Sequence, residues 1–143
     1  MAVTPDQLVA KSQTESSIQT AFFAWLAIVK LPGTKWMHAI PNGGERSAAT
    51  AGRMKAEGVR KGVWDTFLPL PRGVHHGLYI EFKRPEHRTH KHGGLTDEQV
   101  EFGLQGFQNG YSMQMAYTWR EAAKHVCAYL GVEYVELWPG GEK

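Results

Sequence analysis

Glu81-Phe82-Lys83 closes the apolar run Gly77-Leu78-Tyr79-Ile80, and Asp65 stands sixteen positions upstream in Val63-Trp64-Asp65-Thr66-Phe67-Leu68. In an extended strand successive side chains alternate faces, so Glu81 and Lys83 emerge on one face and Ile80 and Phe82 on the other. One face can pack while the other does chemistry. With the Asp65 segment as the neighbouring strand, its carboxylate reaches the same divalent ion as Glu81, and the Phe82 backbone carbonyl supplies a further oxygen ligand. Oxygen-only ligation suits Mg2+ or Mn2+. Two carboxylates and a lysine around one hard cation are the apparatus of metal-assisted phosphodiester hydrolysis. The competing reading makes Glu81 and Lys83 cross-strand ion pairs on a solvated face.

A chain of 143 residues with 42% hydrophobic content holds one ordinary core, so residues 1–143 are expected as a single domain. Its sole cysteine, Cys127, excludes an intramolecular disulfide and a Cys-rich zinc site and fits a reducing compartment, with cytoplasm as the default. No segment approaches the length of a membrane span. The formal charge is only +2, yet Arg46, Arg53, Lys55, Arg60 and Lys61 face one acid, Glu57, over residues 46–61. A second basic band, Lys83, Arg84, Arg88 and Lys91, is opposed by Glu86 alone. The two bands bracket the acidic pair, as expected of a protein that holds a polyanion over a metal; solvated surface is the competing reading of each.

These residues need elements to position them. Ser12-Gln13-Thr14-Glu15 starts a helix, with Ile18, Phe22, Trp25, Leu26 and Val29 at helical spacing until Leu31-Pro32-Gly33, predicting helix over residues 13–30. Residues 35–40 read as a strand, Pro41-Asn42-Gly43-Gly44 as a loop, and 45–57 as a surface helix. Strands follow over 65–70 and 78–83 as an antiparallel pair. A polar loop spans 85–94, and Leu95-Thr96-Asp97-Glu98-Gln99 opens another helix with a capping-box pattern. A strand over 111–117, a helix from 118 to 130 and an edge strand over 132–138 complete the chain. This order predicts an α/β sandwich around a small mixed sheet, with a core over 13–130 and a tail over 131–143. The aromatic residues Phe22, Trp25, Phe102 and Phe107 recur at helical spacing and read as core. His87, His90 and His92 fall in the polar loop, where a DNA-contacting or plain solvated loop is favoured over a zinc site.

The ordered parts resemble the PD-(D/E)XK nuclease superfamily, and more closely its VRR-NUC (virus-type replication-repair nuclease) branch, over residues 15–130. The motifs are Glu15 with Gln19 one turn later, His38 and Asn42 around Pro41-Asn42-Gly43-Gly44, and Lys61-Gly62-Val63-Trp64-Asp65. They continue with Tyr79-Ile80-Glu81-Phe82-Lys83, Leu95-Thr96-Asp97-Glu98-Gln99 and Gly110-Tyr111. The chain departs from the family at Trp64, where proline is usual, and at Thr66, where an aliphatic residue is usual. The resemblance implies a restriction-endonuclease-like sandwich in which Asp65 and Glu81 bind the metal and Glu15 supports them. It also implies that Gln99 sits beside this cluster and that Lys83 orients the attacking water and offsets phosphate charge, an electrostatic rather than a general-base role. Glu15 and Gln99 also fit capping boxes with Ser12 and Thr96. Asn42, with Gly43 and Gly44, offers backbone donors to a phosphate or forms an ordinary turn. Arg46, Arg53, Arg60, Lys61 and Arg84 are candidate DNA backbone contacts.

The expected function is that of a Mg2+- or Mn2+-dependent endodeoxyribonuclease recognising DNA shape. Compact members of the branch resemble homodimeric Holliday-junction resolvases, which implies a dimer acting on four-way junctions in phage or bacterial DNA processing. A restriction-like or flap nuclease, and a catalytically silent DNA-binding module, are the alternatives.

Overall fold

The computed structural model describes residues 4–9, 13–41, 47–134 and 136; Asn42 and Arg46 lie outside these. The elements are α1 (Pro5–Val9), α2 (Glu15–Val29), β1 (His38–Ala39), α3 (Ala48–Ala56), β2 (Thr66–Leu68), β3 (Leu78–Phe82), α4 (Asp97–Gln108), β4 (Ser112–Ala116) and α5 (Trp119–Leu130). The sheet runs β1-β2-β3-β4. Neighbours β1, β2 and β3 are antiparallel, and β4 is parallel to β3. A parallel neighbour requires a crossover, which α4 provides. The expected α/β sandwich with a small mixed sheet is therefore the fold found.

Register sorts the strand residues into two faces. Leu68, Leu78, Ile80, Phe82 and Ala116 share one face and are buried. They pack against Ile18, Phe22, Trp25 and Leu26 of α2 and Ala122, Ala123 and Val126 of α5. Both helices begin on a threonine cap: the hydroxyl of Thr14 accepts from the Ser17 N–H, and that of Thr118 from the Glu121 N–H. Thr66 sits on the same buried face, and its hydroxyl donates to the Ile80 carbonyl at 2.8 Å. That bond explains why a polar residue is tolerated where the family favours an aliphatic one.

The opposite face carries α4, which touches the sheet along a narrow stripe. Phe102 meets Tyr79 edge-on at 5.2 Å, and a Cβ at Gly106 would collide with Met113. Phe107, expected in the core, lies off this stripe and is 69% exposed; helical spacing identified an apolar residue without saying how wide the buried stripe is.

Other departures are local. Helix α1 was not expected, because five residues are too few for a periodicity to register; it begins with a reciprocal bond between Thr4 and Gln7. Strand β1 is shorter than 35–40 because a turn, with the Met37 N–H donating to the Thr34 carbonyl, occupies its first half. Helix α3 starts at Ala48 rather than 45, behind the cap Ser47. The polar loop over 85–94 is instead two 3-10 turns, Pro85–Thr89 and Lys91–Gly94. They are held by the Tyr117 hydroxyl donating to the Gly93 carbonyl at 2.8 Å and by an Arg88–Glu121 ion pair. Residues 132–134 and 136 are not strand, and Tyr134 instead packs against Trp25 at 6.2 Å; the rest of 132–138 lies outside the described residues. No helix among the described residues is long and apolar enough to cross a membrane.

Helix α1 is tied to α5 through Asp6, whose carboxylate accepts from Arg120 Nη1 and Nη2 at 2.8 and 2.6 Å and from Trp119 Nε1 at 3.1 Å. The Arg120 hydrogen bonds, outweighing desolvation, hold the Asp6 pKa below its ordinary 3.8. A depressed carboxylate pKa contributes stability above the unfolded value and loses it as pH falls through the folded one. The difference in urea midpoint between wild type and Asp6→Asn should therefore be constant above about pH 5 and shrink below about pH 4. A pH-independent difference would remove this ion pair from the stability of the chain.

Candidate active site

The pairing of β2 with β3 locks two carboxylates together. Asp65 immediately precedes β2, where its carbonyl accepts from the Ile40 N–H at 2.7 Å. Its own N–H donates to Glu81 Oε1 at 3.0 Å, while the Phe82 N–H donates to Asp65 Oδ2 at 2.9 Å. Each carboxylate thus takes a backbone donor from the other's segment. In a strand the N–H and carbonyl of one residue leave on the same edge, so the Phe82 carbonyl is also directed toward the Asp65 side. Glu15, at the first turn of α2, completes a set of three carboxylates whose nearest oxygens all lie within 4.8 Å of one another. Lys83 Nζ is 3.5 Å from Glu81 Oε2 and 3.8 Å from Glu15 Oε1.

Burial decides between the two readings of this strand. Glu81 is 1% exposed and Lys83 7%, so they are not ion pairs on a solvated face. Ser12 lies outside the described residues, but Thr14 is the cap of α2, which leaves the Glu15 side chain for the cluster rather than a capping box. Gln99 performs both roles foreseen for it. Its Oε1 accepts from the Thr96 N–H at 2.9 Å, completing the capping box of α4, and its Nε2 donates to Glu81 Oε2 at 2.7 Å. The cap consumes the amide oxygen, so the NH2 group is the half turned toward the carboxylate.

The loop from Lys61 to Trp64 docks α4 over this cluster. A Cβ at Gly62 would lie 2.9 Å from the Glu98 backbone, and Gly62 has φ +98, so only glycine fits. Buried Trp64 donates its indole N–H to the Gln99 carbonyl at 2.9 Å and packs on Gly103. The tryptophan that replaces the family's proline therefore anchors the turn presenting Gln99. Sequence reading missed this role; the glycine at 103, in the middle of a helix, was its available signal.

Electrostatics at the cluster is adverse without a cation. Burial, followed by the neighbouring Asp65 charge, pushes Glu81 up to about 8 despite Lys83. Burial also raises Asp65, against the Phe82 hydrogen bond. The all-oxygen donor set of Glu15, Asp65 and Glu81, with excess negative charge at one point, fits a hard divalent ion.

The cluster forms one wall of a groove of about 660 Å3 that also includes Gln19, Ile40, Pro41, Lys61 and Thr96. Arg53, Arg60, Lys61 and Arg84 are exposed; Lys61 pairs with Glu98 at 3.3 Å and Arg84 with Glu86 at 3.7 Å, while Arg53 and Arg60 form no ion pair among the described residues. His38 is exposed, its Nδ1 2.8 Å from the Trp36 carbonyl, and stands apart from the carboxylates. His87 and His90 have rings 4.9 Å apart, and among the described residues the histidines contribute to no group able to hold a metal.

A solved structure described as a VRR_NUC domain protein is similar in fold over 84% of this chain and 90% of its own, with a TM-score of 0.65 and 26% identity. No family model and no curated protein matches the chain. The VRR-NUC resemblance drawn from the motifs is thereby supported by the fold.

Glu81 has a raised folded pKa, so the folded protein retains a proton that the unfolded chain releases near 4.5. Metal-free stability should fall as pH climbs from about 4.5 to 8, then level off. In thermal melts with EDTA, wild type should lose Tm across this range and Glu81→Gln should lose clearly less, the remainder coming from Asp65. Mg2+ or Mn2+ should raise the wild-type Tm more at pH 8 than at pH 6, because binding displaces the retained proton. A flat wild-type profile would show that Glu81 titrates normally.

Proposed function

We propose that the chain is a metal-dependent nuclease domain that hydrolyses DNA phosphodiester bonds, with branched DNA as its substrate class and a homodimer cutting four-way junctions as its working form. The observation that carries the reading is the pair of half-buried Asp65 and buried Glu81, cross-bonded at 3.0 and 2.9 Å beside Lys83 at the wall of an open groove. The described name of the structurally similar VRR_NUC protein favours the same chemistry.

Asp65 and Glu81 would hold Mg2+ or Mn2+, with Glu15 and the Phe82 carbonyl as further ligands. Such an ion, when bound, lowers the pKa of a coordinated water and neutralises phosphate charge. Gln99 keeps Glu81 in a single orientation, since its amide is fixed at both ends. Lys83, held between Glu81 and Glu15, places a positive charge where the pentavalent phosphate gains negative charge and orients the attacking water. Exposed Arg53, Arg60, Lys61 and Arg84 supply phosphate contacts, joined by Asn42 and Arg46, which lie outside the described residues.

A labelled four-way junction, a flap and a matched linear duplex, each given Mg2+, Mn2+ or EDTA, test the proposal. Metal-dependent paired cuts in the junction are expected, reduced at least about 100-fold by Asp65→Ala and by Lys83→Ala. Asp65→Asn, which keeps an acceptor for the Phe82 N–H, serves as the variant that folds. Equal cutting of linear duplex would discard junction specificity; preferential cutting of the flap would identify a flap nuclease. Binding without cleavage in either metal would make the chain a silent module.

A further inference from the structure

The face that carries the carboxylates also carries aromatic residues at the adjoining register position. His38 pairs with Phe67, and Phe67 with Tyr79. Phe67 is two residues beyond Asp65 and Tyr79 two before Glu81, so alternation brings this row onto the metal-site face, about 7 Å along the strands. The Phe67 and Tyr79 rings lie 4.4 Å apart at an interplanar angle of 30°, and His38 meets Phe67 edge-on at 6.0 Å. A Cβ at Gly77 would lie 2.7 Å from the Phe67 ring, so glycine lets that ring settle against the sheet. Behind the row, Phe102 fixes Tyr79 edge-on. In front of it the cover is incomplete: Phe67 and Tyr79 are only half-buried, and His38 is exposed.

From this row we infer a base-stacking site: Phe67, flanked by His38, receives an unpaired nucleobase of the DNA whose phosphate lies at Asp65 and Glu81. Bases inside a duplex have both faces covered by their neighbours. Only a base outside the stack can offer a π-face to a protein ring. A row about 7 Å from the phosphate site therefore selects DNA with unpaired nucleotides beside the cut. The inference rests on the nuclease reading for its substrate, and it adds a physical basis for choosing DNA whose nucleotides are unpaired or opened at a branch over continuous duplex.

The test separates stacking from cleavage. Flap DNA at each unpaired position, and junction DNA at each nucleotide beside the crossover, where a pair can open, carry 2-aminopurine or an abasic site in turn, and binding is measured by fluorescence alongside cleavage on gels. At one position the 2-aminopurine signal should be quenched by wild type, and an abasic site there should weaken binding about tenfold. Phe67→Leu should lose the quench, bind the intact DNA about tenfold more weakly and show less than a twofold further effect of the abasic site. His38→Ala, at an exposed position that leaves the core intact, should reduce the quench in part. Unchanged binding of linear duplex by both variants would show that they are folded. An abasic site that harms wild type and Phe67→Leu equally, or at no position, overturns the stacking site whether or not DNA is cut. Intact coupling without cleavage keeps the stacking site and rejects the nuclease reading.

Discussion

Two carboxylates set side by side, Glu81 buried and Asp65 half-buried, are a constraint that the rest of the fold must satisfy. Asp65 and Glu81 are held together by reciprocal backbone hydrogen bonds, so neither can swing away to relieve repulsion. Retention of a proton or arrival of a cation are the remaining ways to relieve it. The surrounding groups act on that choice. Lys83 supplies a counter-charge at one side, Gln99 donates from the other, and Glu15 adds negative charge from α2. The result is a site whose protonation and metal occupancy are alternatives, which couples the chain's stability to both.

The helix α4 is where the local and the functional requirements meet. Its first turn is closed by a capping box, a device that ordinarily serves only the helix. Here the same glutamine faces the buried carboxylate of Glu81, so the cap also determines which end of the amide is presented. Trp64 and Gly62 then seat that turn against the loop leading into β2. Substituting proline at position 64 would remove the indole bond and leave the helix start without this anchor, which explains how tryptophan at this position is compatible with an intact cluster.

Much of this was legible because alternation along β3 and the proximity of an antiparallel partner are local properties. Glu81, Lys83 and Asp65 could be placed on one face from strand period alone, and the Thr96–Gln99 spacing announced the start of α4. Burial was not legible: nothing in Tyr79-Ile80-Glu81-Phe82-Lys83 says that the charged face lies beneath a helix. Nor could spacing reveal the width of the stripe by which α4 touches the sheet, and so Phe107 was misplaced. The 3-10 turns over 85–94 also escaped notice, since their order comes from Tyr117 and Glu121, far away in sequence.

Helix α3 buries no side chain, and its ends are fixed by Ser47 and by its own last turn. The core therefore has no means of sensing which residues it carries. In evolutionary terms, substitutions on α3 are close to invisible to folding and are judged only by whatever touches its surface. The carboxylate cluster is the opposite case, where Gly62, Trp64, Gln99 and Glu81 constrain one another and a change at one position must be answered at the rest. A chain built this way can alter the residues on α3 quickly while its carboxylate cluster changes slowly.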